Sequence, residues 1–270
     1  MHSKLTSVPI FLLCTFFTTG IFGQNSGGVT FPNGAKAALS LTYDDGLPSH
    51  VNSVGPALDK YGFKGTFFVT VSAPSVREEM DKWRQLAKNG HELANHSIYH
   101  PCRKSLPGME WVRDYYDLDH YTVEQLLGEI QVTNTFLLAL DGKTAHTYAY
   151  PCAHLFAGGV SFKDSIGHYA TAARGVHDGL LPPLEIDLLN VPAWAPDGQS
   201  GKELIAYVQS VIGKQTFSTI CFHGVGAEHL LVSKEAHEEL LQWLAGHRDM
   251  VWVATFDEVT EYLQSKKGKQ

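Results

Sequence analysis

Residues 37–46 read Ala-Ala-Leu-Ser-Leu-Thr-Tyr-Asp-Asp-Gly, an apolar run that closes on two carboxylates and a glycine. Short, apolar and bounded by a turn signal, residues 37–43 predict a buried strand. The chain then alternates. Residues 56–61 predict a helix, 64–71 a second strand, 79–88 a helix stopped at Asn89-Gly90, and 92–94 a brief strand. Residues 122–140 predict a long helix, opened by a Thr-x-x-Gln capping pattern and ended at Asp141-Gly142. Further strands are expected over 145–150, 168–173, 186–191, 216–222 and 250–254, with helices over 201–212, 233–245 and 256–264. No repeat or low-complexity linker interrupts this order. It predicts an α/β fold, a barrel, in a single domain.

Composition narrows the function. The 270 residues carry a formal net charge of −7, with 44% hydrophobic and 18% charged residues. Nucleic acid is disfavoured, because its binding rests on neutralising phosphates. No apolar run reaches 18 residues, so no stable membrane span is expected. Residues 8–17 (VPIFLLCTFF) follow Lys4 and precede small residues, the pattern of a secretory signal. The division expected is a signal peptide over 1–23, a lead segment over 24–35 and one domain over 36–265, in a secreted or periplasmic protein. Outside the leader stand Cys102, Cys152 and Cys221. Cys221 sits inside an apolar strand and predicts an inert core thiol. Cys102 and Cys152 could pair if their loops converge.

Four polar motifs fall where predicted strands end. Asp44 and Asp45 are adjacent, and like charges resist joint ionisation unless a cation relieves them. A plain Asp-Gly surface turn fits the same residues. His96 and His100, four apart with Pro101 following, can face one metal from a helical turn; among 14 histidines such a pair also arises by chance. Tyr150-Pro151-Cys152 closes another strand. His223, ending residues 219–222 before Gly224, suits a general acid or a hydrogen-bonded core histidine.

Taken together, these motifs resemble carbohydrate esterase family 4, the NodB-homology polysaccharide deacetylases, in a divergent form. The family pattern T-[FY]-D-D-G is met by residues 42–46 and H-[ST]-x-x-H by residues 96–100; the final apolar-x-His pattern is met loosely by residues 221–223. The resemblance spans residues 36–260 and implies an irregular (β/α) barrel of about seven strands. It implies one divalent metal ion, most simply zinc, on Asp45, His96 and His100. It further implies Asp44 as general base, His223 as general acid and the Cys152 N–H as an oxyanion donor. The activity implied is removal of acetyl groups, N-acetyl more readily than O-acetyl, from an acetylated glycan or oligosaccharide. An allantoinase-like amide hydrolase and a carbohydrate-binding pseudoenzyme are alternatives on the same scaffold.

Two departures stand out. Ala149 occupies the place of an arginine that orients a catalytic carboxylate; Arg174, at another expected strand end, is a candidate to replace it. The Asp-x-x-Asp-Trp motif that tunes the acid histidine has no match, Asp187 and Trp194 being loose candidates. Residues 109–121 cluster Trp111, Tyr115 and Tyr116 with aspartates. With Trp194 they form a candidate platform for sugar rings, or else a lid packed on its own barrel.

Overall fold

All eight residues of β1 (Ala37–Asp44) are buried, as expected of a strand with parallel neighbours on both edges and packing on both faces. The computed structural model describes residues 29–177 and 179–268; the expected signal segment lies outside them. After β1 come β2 (Thr66–Val69), β3 (Glu92–Asn95) and β4 (Tyr148–Ala149). An outlying antiparallel hairpin, β5 (Phe156–Ala157) and β6 (Val160–Ser161), follows. The remaining strands are β7 (Ala173–Arg174), β8 (Ala193–Trp194), β9 (Phe217–Phe222) and β10 (Val251–Val253). Seven run parallel in the order β7-β4-β3-β2-β1-β9-β8, while β10 pairs with the first half of β1. Bridges Arg174–Val191 and His177–Ala193 draw the two edges together. The result is a nearly closed barrel of seven parallel strands, as the sequence predicts.

Helices cover the outside: α1 (Gly55–Lys60), α2 (Pro74–Glu78), α3 (Met80–Lys88), α4 (Val123–Asp141), α5 (Lys163–Ile166), α6 (Gly201–Lys214), α7 (Lys234–Ala245) and α8 (Phe256–Lys267). The Thr122–Gln125 capping box opens α4, and Gly142, at φ 79°, ends it; only glycine takes that left-handed turn cheaply. Side-chain parity then sorts the strands. Leu39, Leu41 and Tyr43 face outward onto Leu58, Trp83, Leu204 and Leu240 of the helices. Ala38 faces inward with Phe68, Ala94, Ala149 and Phe217, closed from below by Phe256 of α8.

Two expected strands need correction. Over 186–191 only Val191 makes a bridge, and the paired strand is β8. Asp187 takes the Leu189 N–H on its side chain at 2.9 Å and the Asn190 N–H on its carbonyl at 3.0 Å, so turn chemistry overrides the apolar pattern. The strand expected over 168–173 shrinks to β7, because Ser165–Ala170 continue the turns of α5.

The barrel floor holds a buried acid. Glu92 accepts hydrogen bonds from Thr66 Oγ1 at 2.7 Å, from Thr147 Oγ1, and from the Asp257 N–H at 3.0 Å. Burial, reinforced by the Asp257 charge, pushes its carboxyl up from 4.5 to about 7. Between those values the folded chain keeps a proton that the unfolded chain releases, so rising pH lowers stability, by at most about 1.4 kcal/mol per pH unit. Glu92→Gln is expected to flatten this slope in urea denaturation between about pH 5 and 7. An unchanged slope refutes the assignment.

Candidate active site

Strand parity brings Asp44 to the inner mouth of the barrel, 3% exposed. The Arg174 guanidinium, fully buried, donates from Nη2 to Asp44 Oδ2, and Cys221 Sγ donates to the same oxygen at 3.3 Å. Arg174 lies on β7 in register with Ala149 on β4. Arg174 therefore stands one strand sideways from Ala149 at the same height. Its guanidinium also covers the Phe68 ring, 5.0 Å from the centroid. Burial alone would push the Asp44 carboxyl up, but Arg174, then His96 and His223, outweigh it and hold it below the ordinary carboxylate range. Asp44 Oδ1 has no hydrogen-bond partner among the described residues. Cys221, expected to be inert, is buried but touches the site.

Asp45 turns out of the strand at φ 79°, with Gly46 following at φ 69°. Its Oδ1 lies 3.5 Å from His96 Nε2 and 3.3 Å from His100 Nε2. The two histidines do not share a helical turn. They sit on an irregular loop in which Ser97 and His100 have φ 64° and 54°, and Asn95 Oδ1 accepts the Ser97 N–H at 2.8 Å. His96 Nδ1–H donates to the Ala149 carbonyl at 2.9 Å, which leaves Nε2 as the ring nitrogen that faces Asp45, the orientation of a metal-ligating imidazole. Asp45 Oδ1 is buried without a hydrogen-bond partner. Zinc–nitrogen and zinc–oxygen bonds of roughly 2.0–2.2 Å in a tetrahedron place ligand atoms roughly 3.3–3.6 Å apart. The trio fits a divalent cation.

These groups line a cavity of about 690 Å³ with His223. His223 follows β9; burial pushes its imidazole down, and the Asp44 and Asp45 carboxylates pull it partway back. Its Nδ1 is unpartnered among the described residues, so no aspartate there hydrogen-bonds it in place of the unmatched motif. Asp187 instead pairs with Lys163 at 2.6 Å. The His223 carbonyl is held by His50 at 3.0 Å. Tyr150, Cys152, Met109, Trp111, Val176 and Leu230 are among the other wall residues, and Pro151 is buried in the turn below. Trp194 requires correction: its ring stacks on Tyr207 at 4.4 Å, away from the cavity. Trp111 stands 60% exposed at the mouth. Tyr116 stacks on Tyr99 beside it, and Tyr115 packs edge-on against Tyr116. Cys102 and Cys152 are disulfide-bonded, tying the His100 loop to the Tyr150-Pro151-Cys152 turn.

Three contributors escaped the sequence reading: His50, the Cys221 contact, and His229, whose Nε2 lies 2.8 Å from Asp45 Oδ2. His229 stands six residues beyond His223 with no spacing signal, and only the folded loop brings it back.

Residues 32–157 match the family model for polysaccharide deacetylase. The chain is 26% identical over 126 residues to the peptidoglycan-N-acetylmuramic acid deacetylase PdaA of Bacillus subtilis, covering 46% of this chain and 41% of that one. Over residues 32–157, a little under half its length, the chain is thus similar to the polysaccharide deacetylase family. It is also 24% identical over 255 residues to a gellan lyase of a Bacillus species, covering 85% of this chain but only 9% of that protein. Among solved structures, a candidate polysaccharide deacetylase from Mycobacterium smegmatis aligns with TM-score 0.67 at 16% identity, covering 89% of this chain and 94% of that one. The carbohydrate esterase domain of a multidomain xylanase, from the hindgut metagenome of Trinervitermes trinervoides, aligns with TM-score 0.55 at 16% identity, covering 87% and 92%. At such identity the likeness to the solved structures is one of fold.

The Cys102–Cys152 disulfide closes a loop with sequence separation 50, for which chain entropy predicts about 4 kcal/mol of stabilisation. The Cys102→Ser, Cys152→Ser double variant is expected to lose several kcal/mol in denaturant unfolding. A loss below about 1 kcal/mol would show that the two loops are held by other contacts.

Proposed function

We propose that the protein is a metal-dependent deacetylase that hydrolyses acetyl groups from an acetylated glycan, N-acetyl in preference to O-acetyl. The observation that carries this reading is the convergence on one cavity of the Asp45, His96 and His100 trio, Asp44 and His223. Asp45, His96 and His100 would hold a divalent cation, zinc by their donor set, which when bound would supply Lewis acidity to the acetyl carbonyl and its attacking water. Asp44 takes the water's proton on Oδ1, while Arg174 and Cys221 hold Oδ2 and fix the carboxylate's orientation. The Cys152 N–H is the proposed oxyanion donor, an interaction worth about 10²–10³ in rate.

His223 delivers a proton to the departing nitrogen. An amine leaves poorly as an anion, so a positioned acid matters more for amides than for esters, which supports the N-acetyl preference. Trp111 at the mouth offers a face on which the C–H side of a sugar ring stacks. Export belongs to the same proposal, supported by the apolar leader and by a disulfide that persists in oxidising compartments. Among the described residues no helix is long and apolar enough to cross a membrane.

Acetate release from chitooligosaccharides, peptidoglycan fragments and acetylxylan tests the reading. Release is expected to stop on chelation and to fall by about 10²–10⁴-fold in Asp44→Asn. Glycan binding without turnover would make the protein a binding module, and turnover of allantoin alone would make it a small-amide hydrolase.

Arg174 gives a separate prediction. Removing its charge lets burial raise the Asp44 carboxyl, and a protonated Asp44 is no base. Arg174→Ala is therefore expected to move the acid limb of kcat/KM to higher pH, with Arg174→Lys moving it less. Identical limbs in all three proteins would assign Arg174 to packing alone.

A further inference from the structure

We infer that His229 is a positioning residue that holds Asp45 ready for the cation; the inference rests on the metal-dependent reading above. Asp45 divides its two oxygens. Oδ1, buried and without a hydrogen-bond partner among the described residues, faces His96 and His100. Oδ2 accepts the Nε2–H of His229 at 2.8 Å. A carboxylate anchored through one oxygen cannot rotate freely, so it presents the other at a fixed angle and loses less freedom when a cation arrives. Partners of this kind behind a ligand typically change metal affinity by about 10–100-fold when removed.

The loop that carries His229 is built to aim it. The Gly224 N–H donates to the His229 carbonyl at 3.1 Å, the Val232 N–H to the Gly224 carbonyl at 3.1 Å, and the Gly226 N–H to the Val232 carbonyl at 2.8 Å. A Cβ on Gly224 would come within 2.0 Å of the Ala227 carbonyl oxygen, so the fold-back needs glycine there. Glu228, at φ 68°, accepts the Ser49 N–H at 3.2 Å, which moors the loop to the segment just after Asp45. The His229 side chain itself is 55% exposed. Its ring therefore contributes little to the core, and its removal disturbs the fold little.

The test uses the full chain stripped of metal and titrated with zinc in competition with a chromophoric chelator. His229→Ala is expected to weaken the zinc dissociation constant by about 10–100-fold. His229→Gln, whose side-chain amide can donate to the same oxygen, is expected to restore it to within about threefold of the parent. Activity that His229→Ala loses at limiting zinc should return as zinc is raised. Thermal melting of the metal-free proteins verifies that all three fold alike. Equal affinity in His229→Ala and the parent overturns the inference, as does equal weakening in the alanine and glutamine variants. A parent chain that binds no zinc overturns the metal-dependent reading and takes this inference with it; the other two outcomes leave that reading standing.

Discussion

Two carboxylates adjacent in sequence are each held below the ordinary carboxylate range inside a barrel mouth, and the rest of the site follows from that constraint. Asp44 and Asp45 would repel each other and lose solvation together, which normally forces one to take a proton. Here they are separated by geometry and compensated separately. Strand parity sends Asp44 inward to the Arg174 guanidinium, and the left-handed turn at Asp45 sends its neighbour sideways to three imidazoles. A buried ion pair such as Arg174–Asp44 contributes little net stability, because desolvation offsets its attraction, yet losing one partner is costly. Its value is positional: it holds Oδ2 and leaves Asp44 Oδ1 without a hydrogen-bond partner among the described residues, on a side chain that lines the cavity.

The fold was legible where pattern and packing coincide. The run at 37–43 became β1, the capped helix over 122–140 became α4, and residues 216–222 became β9 with little change. Legibility failed between residues 168 and 194. There the strands shorten to two residues each, and a two-residue strand has no periodicity to read. Ile186 departs from the expected strand for a related reason: it is an apolar plug into the barrel core presented from a turn, and apolar character alone does not separate a plug from a strand.

At the site, sequence carried the residues that sit on strand ends within recognisable spacings. Asp44, Asp45, His96, His100 and His223 converge as placed. What it could not carry was lateral relation between strands. That Ala149 and Arg174 share a register is a property of the sheet, and no separation along the chain encodes it. The same holds for Cys221 beneath Asp44 and for His229 across from Asp45. Trp194 shows the converse error. Its aromatic character suggested a sugar platform, but its strand position turns the ring outward onto Tyr207.

The backbone around the cavity explains why so much cross-linking converges there. Nine non-glycine described residues have positive φ, and seven belong to this site: Asp45, Ser97, His100, Cys152, Ala153, Glu228 and Leu230. Each such conformation costs of order 1 kcal/mol or more and persists only where surroundings over-determine it. Those surroundings are visible: the Cys102–Cys152 bond behind His100, the Asn95 side chain on the Ser97 N–H, and the Glu228 tether to Ser49. Strain met by fixed contacts leaves Asp45, His96 and His100 already converged. On the metal-dependent reading proposed above, a cation would have little left to organise there, so its binding free energy would go to affinity rather than to folding the loops.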